Sequence, residues 1–177
     1  SPRVRKVRGL LLELLLAVMP GSPEVQALAR EYGVVSTRYK RRYQYCILCG
    51  KCTRVCDEVV GAHAIEIVGR GFGSHVGTAF DGPMIDSSCV FCGSCVQVCP
   101  TAALLPVSRL KQGREWELGR KRTVCGYCGV GCAIEYRTKG DRIVYAEGFP
   151  EAPVNGEFLC AKGRFGWDFA QHKDRLT

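Results

Sequence analysis

The sequence predicts an α+β chain of small domains: a helical N-terminal segment, a central domain of paired cysteine loops and a small C-terminal β-hairpin domain. Three observations predict it. The chain has 177 residues, of which 12 are Cys, and it is 46% hydrophobic and 24% charged, a globular rather than a disordered balance. Eight of the cysteines fall into two copies of one spacing, and the other four follow a related pattern. The alternating stretches that would mark strands are short, so no large sheet is expected.

Residues 1–42 are basic, free of Cys and expected to be helical. Arg3, Arg5, Lys6 and Arg8 precede the run LLLELLLAVM, which has the outline of an export signal. Glu13 interrupts the run, no small-residue cleavage site follows before Pro20, and the run is too short to span a bilayer. A packing helix ended by Pro20-Gly21 fits better. Ser22 then reads as the N-cap of a second helix, with Pro23 in its first position and Gly33 as its terminator. Without an export signal the expected location is reducing and cytoplasmic, with no transmembrane segment.

Residues 43–107 hold the paired loops. Cys46, Cys49, Cys52, Cys56 and then Cys89, Cys92, Cys95, Cys99 each read C-x2-C-x2-C-x3-C. Offset by 43 positions, CILCGKCTRVC and CVFCGSCVQVC share six of eleven residues, the mark of an internal repeat. Three chemistries compete for these thiols. Disulfides need an oxidising compartment, and three sulfurs within seven residues force strained pairing. Tetrahedral zinc draws Cys or His pairs from separate hairpins, which leaves four Cys within eleven residues, twice, unexplained. Iron–sulfur cubanes explain it: a short loop wraps three thiolates around one cluster, while the fourth ligates the neighbouring cluster. Pro100 completes the C-P ending of the second copy, where the first has Asp57.

On that rule Cys46, Cys49, Cys52 and Cys99 hold one [4Fe–4S] cluster, and Cys56, Cys89, Cys92 and Cys95 hold a second. The exchange makes the two clusters close neighbours. Gly50 and Gly93 lie between the second and third ligands, where a side chain would crowd the turn. Backbone amides of these loops, theirs included, are the expected donors to sulfur. Between the copies, residues 64–68 alternate like a strand, and the glycine-rich stretch from Gly69 to Gly77 reads as turns. Its G-x-G spacing is no dinucleotide fingerprint, since neither a helix pattern nor an acidic ribose ligand follows.

Residues 108–122 are polar and charged and read as a linker. Residues 123–177 form the last domain. There Cys125, Cys128 and Cys132 read C-x2-C-x3-C, with Cys160 28 residues further on, and these four are expected to hold a third cubane alone. Residues 133–137 and 142–146 alternate on either side of Lys139-Gly140-Asp141, a hairpin expected to pack against that cluster.

The 25 basic and 17 acidic residues leave a net charge of +8, which taken alone points to nucleic acid or an acidic surface. Three cubanes with their thiolates carry about −6 to −9 in all, so the loaded chain is near neutral and the basic excess reads as compensation. The run Arg38-Tyr39-Lys40-Arg41-Arg42-Tyr43 reads as a solvated strip or subunit contact rather than a nucleic-acid groove. His63, His75 and His172 lack ligand-like spacing to the cysteines. No nucleophile motif, phosphate loop or carboxylate pair suggests a catalytic site on this chain.

CILCGKCTRVCDEVVG and IDSSCVFCGSCVQVCPTAAL resemble the two-cubane, ferredoxin-like module of two related groups of proteins. These are the alpha subunit of NAD-dependent formate dehydrogenases and the G subunit of NADH–quinone oxidoreductases (NADH dehydrogenases); iron-only hydrogenases carry a similar module. The stretch from VCGYCGVGC through LCAKGRFGWDFAQHKDRLT resembles the iron–sulfur segment that opens the molybdopterin domain of formate dehydrogenases, which sets the hydrogenases aside. The resemblance covers about residues 10–177. Those relatives also carry an N-terminal [2Fe–2S] domain and a cubane with a His ligand. No Cys precedes Cys46 here, and residues 10–35 look like a remnant of that region. In the family the Lys of the C-x-K-G turn lies between the third cluster and the pterin. The resemblance therefore implies that Lys162 bridges toward a molybdopterin cofactor in a partner subunit; a Lys that offsets cluster charge is the other reading.

Together these features predict an electron-relay subunit with three [4Fe–4S] clusters and no complete active site. It would pass single electrons between a flavin, ferredoxin or NADH-linked partner and a catalytic molybdenum or tungsten pterin subunit. One alternative is the N-terminal portion of a formate dehydrogenase catalytic subunit, although no formate oxidation is expected on this chain alone. An alternative of another class is a zinc-stabilised nucleic-acid module.

Overall fold

Pro20 and Gly21 break the apolar N-terminal stretch, and the chain responds by doubling back as a helical hairpin. The computed structural model describes residues 1–176. Helix α1 spans Pro2–Val18 and α2 spans Pro23–Glu31. Ser22 Oγ accepts from the Val25 amide at 3.3 Å, and Pro23 sits where a helix has no use for an amide donor. Gly33 takes a φ of +78° just past the helix, the left-handed stop that glycine adopts without penalty. Leu12, Leu16 and Ala29 form the contact between the helices, with Val25, Tyr32 and Val34 at its edge. Residues 34–42, expected to be helical, are irregular. The β-branched and hydroxyl run Val34-Val35-Ser36-Thr37 disfavours a further helix there.

The basic–aromatic strip that follows is exposed at Arg38, Lys40, Arg42 and Tyr43, and its three arginines are tethered. Arg38 pairs with Glu13 at 3.1 Å, and Arg42 pairs with Asp81 at 2.8 Å. Arg41 stacks on Phe72 and donates to its carbonyl at 2.7 Å.

In the central region α3 spans Lys51–Arg54 and runs on into one π-helical turn, Val55–Val59. Helix α4 spans Ser94–Gln97 and packs against both. Strands β1 (Glu66–Val68) and β2 (His75–Gly77) pair antiparallel, Ile67 opposite Val76, across a 3-10 turn at Gly71–Gly73. The end of the glycine-rich stretch is thus a strand and not a turn. Three residues between glycines carry too little alternation to announce it.

The C-terminal region is an antiparallel meander of β3 (Gly119–Val124), β4 (Ala133–Lys139) and β5 (Arg142–Glu147), in that order. The β4–β5 hairpin turns at Gly140, as expected, and its register shifts between Arg137 and Thr138. Strand β3 takes up the end of the stretch expected to be a linker. All six of its residues are exposed, so no buried face marks it in the sequence. Helix α5 (Ala161–Phe165) follows Cys160.

Ile134, Ala146, Leu159 and Trp167 form the core of this region, with Cys125 and Cys132 packed against it. Arg137 sits among carboxylates: it pairs with Glu147, lies 3.4 Å from Glu135, and lies 3.0 Å from Glu115 off the hydrogen-bonding line. Among the described residues no helix is long and apolar enough to cross a membrane.

Candidate metal centres

The two cysteine loops repeat in backbone as well as in sequence. Leu48 and Phe91 both take a left-handed φ, +53° and +52°, and Gly50 and Gly93 both take +71°. Two bulky residues held in that sparsely allowed region mark loops whose surroundings fix their conformation. Each glycine then N-caps the short helix that follows, α3 or α4.

A cavity of about 250 Å³ lies between the first loop, the β1–β2 hairpin and the segment after Cys99. Cys46, Cys49, Cys52 and Cys99 line it, together with Cys95 and the apolar Ile47, Leu48, Ile65, Val76 and Leu104. The structure thus brings Cys99, from the second loop, beside three cysteines of the first. An apolar void lined by sulfur fits an anionic inorganic cluster, because thiolates can reach it and few polar groups compete.

Cys89, Cys92 and Cys95 form a second neighbourhood. Burial pushes the Cys95 thiol up to about 11, with negative charge on Cys92, Cys52 and Cys89 adding to the effect. Burial likewise raises the Cys52 thiol, with Cys46 and Cys49 adding to it. Such crowded thiols give up their protons readily only to a metal. Cys56 lies on the π-helical turn that packs against α4, the helix bearing Cys95.

Among the described residues, the amides that donate to cysteine sulfur include those of Ala64 and Phe91 and not those of Gly50 and Gly93. Ala64 N donates to Cys56 Sγ and Phe91 N donates to Cys89 Sγ, each at 3.3 Å. Burial acts to raise the Cys99 thiol. The amides of Leu104, Thr101 and Ala103 and the Thr101 hydroxyl outweigh it and hold the thiol below its ordinary range. Cys92 Sγ in turn donates to Oγ of Ser94, 2% exposed, at 3.3 Å. None of these donors stands out in the sequence, because each acts through a fold contact rather than through the cysteine spacing.

In the third group burial raises the Cys132 thiol first, and Cys125, Cys128 and Cys160 add their charge. The Cys125 amide donates to the Cys132 carbonyl at 2.7 Å, closing the loop on itself. Cys128 and Cys160 are exposed, as is Lys162 on α5. The histidines sit beside carboxylates: His63 pairs with Asp57, His75 lies 2.9 Å from Asp81, and His172 lies 3.8 Å from Asp174. Among the described residues no three His, Cys, Asp or Glu side chains converge on one point as a single bound ion requires.

Comparison with known proteins adds two matches. Residues 45–103 match the family model described as the 4Fe-4S dicluster domain, and residues 119–172 match the molybdopterin oxidoreductase Fe4S4 domain. The chain is similar to the second G subunit of the NADH-quinone oxidoreductase of Rhizobium meliloti (strain 1021), with 32% identity covering 99% of this chain and 23% of that protein. It is similar to the alpha subunit of the NADPH-Fe(3+) oxidoreductase of Geobacter sulfurreducens, with 33% identity covering 100% of this chain and 24% of that protein. A putative formate dehydrogenase of Bacillus subtilis (strain 168), YrhE, is 47% identical over 36% of this chain and 6% of that protein. The chain spans about a quarter of the length of the first two relatives.

Proposed function

The chain belongs to the iron–sulfur family shared by the G subunit of NADH–quinone oxidoreductase and formate dehydrogenase-like proteins, as its electron-transfer module, and from that premise we propose that it holds three [4Fe–4S] clusters. Cys46, Cys49, Cys52 and Cys99 would hold the first, Cys56, Cys89, Cys92 and Cys95 the second, and Cys125, Cys128, Cys132 and Cys160 the third. We divide the chain into a helical segment (1–42), a two-cluster domain (43–107), a connecting stretch (108–122) and a one-cluster domain (123–177). Bound clusters would each accept and release one electron at a time.

The chain's own residues set the conditions for that. The exchanged ligands Cys56 and Cys99 keep the two loops adjacent. Ile65, Val76 and Leu104 give the first cavity an apolar wall, and the amides of Ala64 and Phe91 offset negative charge on sulfur. Lys162 would stand between the third cluster and a pterin held by a partner. The partners in this proposal are a flavin or ferredoxin protein on one side and a molybdenum or tungsten pterin subunit on the other. The setting is a reducing cytoplasm, with no nucleic acid involved.

The single observation that carries the proposal is Cys99 lining the cavity of the first loop with Cys46, Cys49 and Cys52. Cys56→Ala tests it. The expected outcome is loss of about 4 of about 12 irons per chain, with the second cluster's paramagnetic signal gone and the first retained. Selective loss of the first cluster would overturn the exchange.

The match over 36% of the chain to a protein named as a putative formate dehydrogenase favours a second reading, in which the same relay is the N-terminal portion of a molybdenum or tungsten enzyme. Formate-dependent bleaching of the clusters alongside a pterin-containing polypeptide selects that reading. Reduction by NADH through a flavoprotein, without formate activity, selects the relay of a quinone-reducing complex.

A further inference from the structure

Arg164 stands four residues after Cys160, and its sequence position assigns it to the third cysteine group. Its side chain does otherwise. It is 3% exposed, donates from Nε to the Cys92 carbonyl at 3.0 Å, and donates from Nη1 to Gln97 Oε1 at 2.6 Å. A longer contact of 3.5 Å joins Nη2 to the Glu157 carbonyl. Two of its three acceptors therefore belong to the second loop and α4. The loop is cut to receive it: a Cβ on Gly93 would overlap Arg164 Cδ and come within 2.8 Å of Phe165 Cζ. The junction is closed by Gln97 Nε2 donating to the Gly148 carbonyl at 3.3 Å, and by Trp167 Nε1 donating to the Arg164 carbonyl at 3.1 Å.

All three acceptors of Arg164 are neutral oxygens. The contrast is Arg137, 7% exposed, which is ringed by Glu115, Glu135 and Glu147. Among the described residues Arg164 makes no ion pair, and a buried guanidinium without a counter-charge is strongly disfavoured. Burial works against its charged form, and negative charge on Cys92, Glu147, Cys95 and Glu157 works for it, Cys92 foremost.

We infer that Arg164 is the positioning residue and counter-cation of the second cluster, reaching it from the domain of the third. It holds the Cys92 carbonyl and so clamps the Cys89–Cys95 loop against α5. Its fixed charge favours the state that has gained one electron and is one unit more negative, which raises that cluster's potential. The inference rests on the assignment of Cys89, Cys92 and Cys95 to one cluster.

The test compares the full chain with Arg164→Gln and Arg164→Lys, all purified anaerobically. Iron and acid-labile sulfide are counted first, and a wild-type chain without sulfide refutes the cluster assignment itself. Each cluster's midpoint is then followed by paramagnetic resonance during titration with dithionite. The second cluster's signal is identified by its loss in Cys89→Ala, and the third's by its loss in Cys128→Ala. Arg164→Gln is expected to lower the second cluster's midpoint, or to empty that cluster alone, while Arg164→Lys, which keeps the charge but not the fork, recovers part of that loss and the first and third clusters are unmoved. A change that falls on the third cluster, on all clusters or on none, or a Lys variant that behaves like Gln, overturns the inference.

Discussion

Gly50 and Gly93 share a φ of +71°, yet they are not equally replaceable. At Gly50 the nearest atom to an added methyl is Thr53 Oγ1 at 3.8 Å, so Gly50→Ala carries only the left-handed backbone penalty of about 1–2 kcal/mol. At Gly93 the methyl also meets Arg164 and Phe165, and the overlap adds about 1–3 kcal/mol. Denaturant midpoints of the loaded protein should therefore fall further for Gly93→Ala than for Gly50→Ala, and equal losses would contradict the packing of α5 against the second loop. Both glycines were legible in the repeat, since each lies at the same place between cysteines. The left-handed Leu48 and Phe91 were not, because nothing in those side chains favours that conformation. Arg164 was equally hidden: a basic residue near a cysteine reads as a surface charge until the fold buries it.

Asn155 does the work of an element from a single side chain. Its Oδ1 accepts from the Ala133 amide at 2.8 Å, and its Nδ2 donates to the carbonyls of Ala133, Gly156 and Phe158 at 3.1, 3.0 and 2.9 Å. This clips the start of β4 to the loop that leads to Cys160. Asn155→Ala should cost about 1–3 kcal/mol, and iron should leave the third cluster faster than the other two when a chelator is added. Uniform iron loss would contradict the clip. The helical hairpin behaves in the opposite way. Leu12, Leu16 and Ala29 share no position with the sulfur-lined cavity. Leu12→Ala should therefore cost the hairpin about 2–5 kcal/mol in thermal unfolding while leaving the iron content unchanged. The β4–β5 hairpin was legible because two alternating runs flank Gly140-Asp141. Strands β2 and β3 were not, one being too short and the other exposed along its whole length.

At the scale of the whole molecule, apolar packing among the described residues includes two small clusters, one at α1–α2 and one beneath the meander, with Val55, Ala64 and Ile65 buried outside both. Cys125 and Cys132 pack against the second of these, so part of that core is built from the proposed ligands themselves. Removing iron should then abolish cooperative unfolding of the C-terminal region, because metal binding and folding share one free energy. A sharp, native-like melt of the metal-free chain would contradict that coupling. The gathering of Cys46, Cys49 and Cys52 at one cavity was legible at this scale because cysteine spacing reports local wrapping directly. The dock between α4 and α5 was not, because it joins residues 67 positions apart, Gln97 and Arg164, through a side chain that carries no motif. The central claim is that twelve cysteines divide into three cubane cages. Counting iron and acid-labile sulfide in the anaerobically purified chain tests it most directly: about 12 of each per chain is the predicted result. A colourless protein that holds zinc and no sulfide would contradict it.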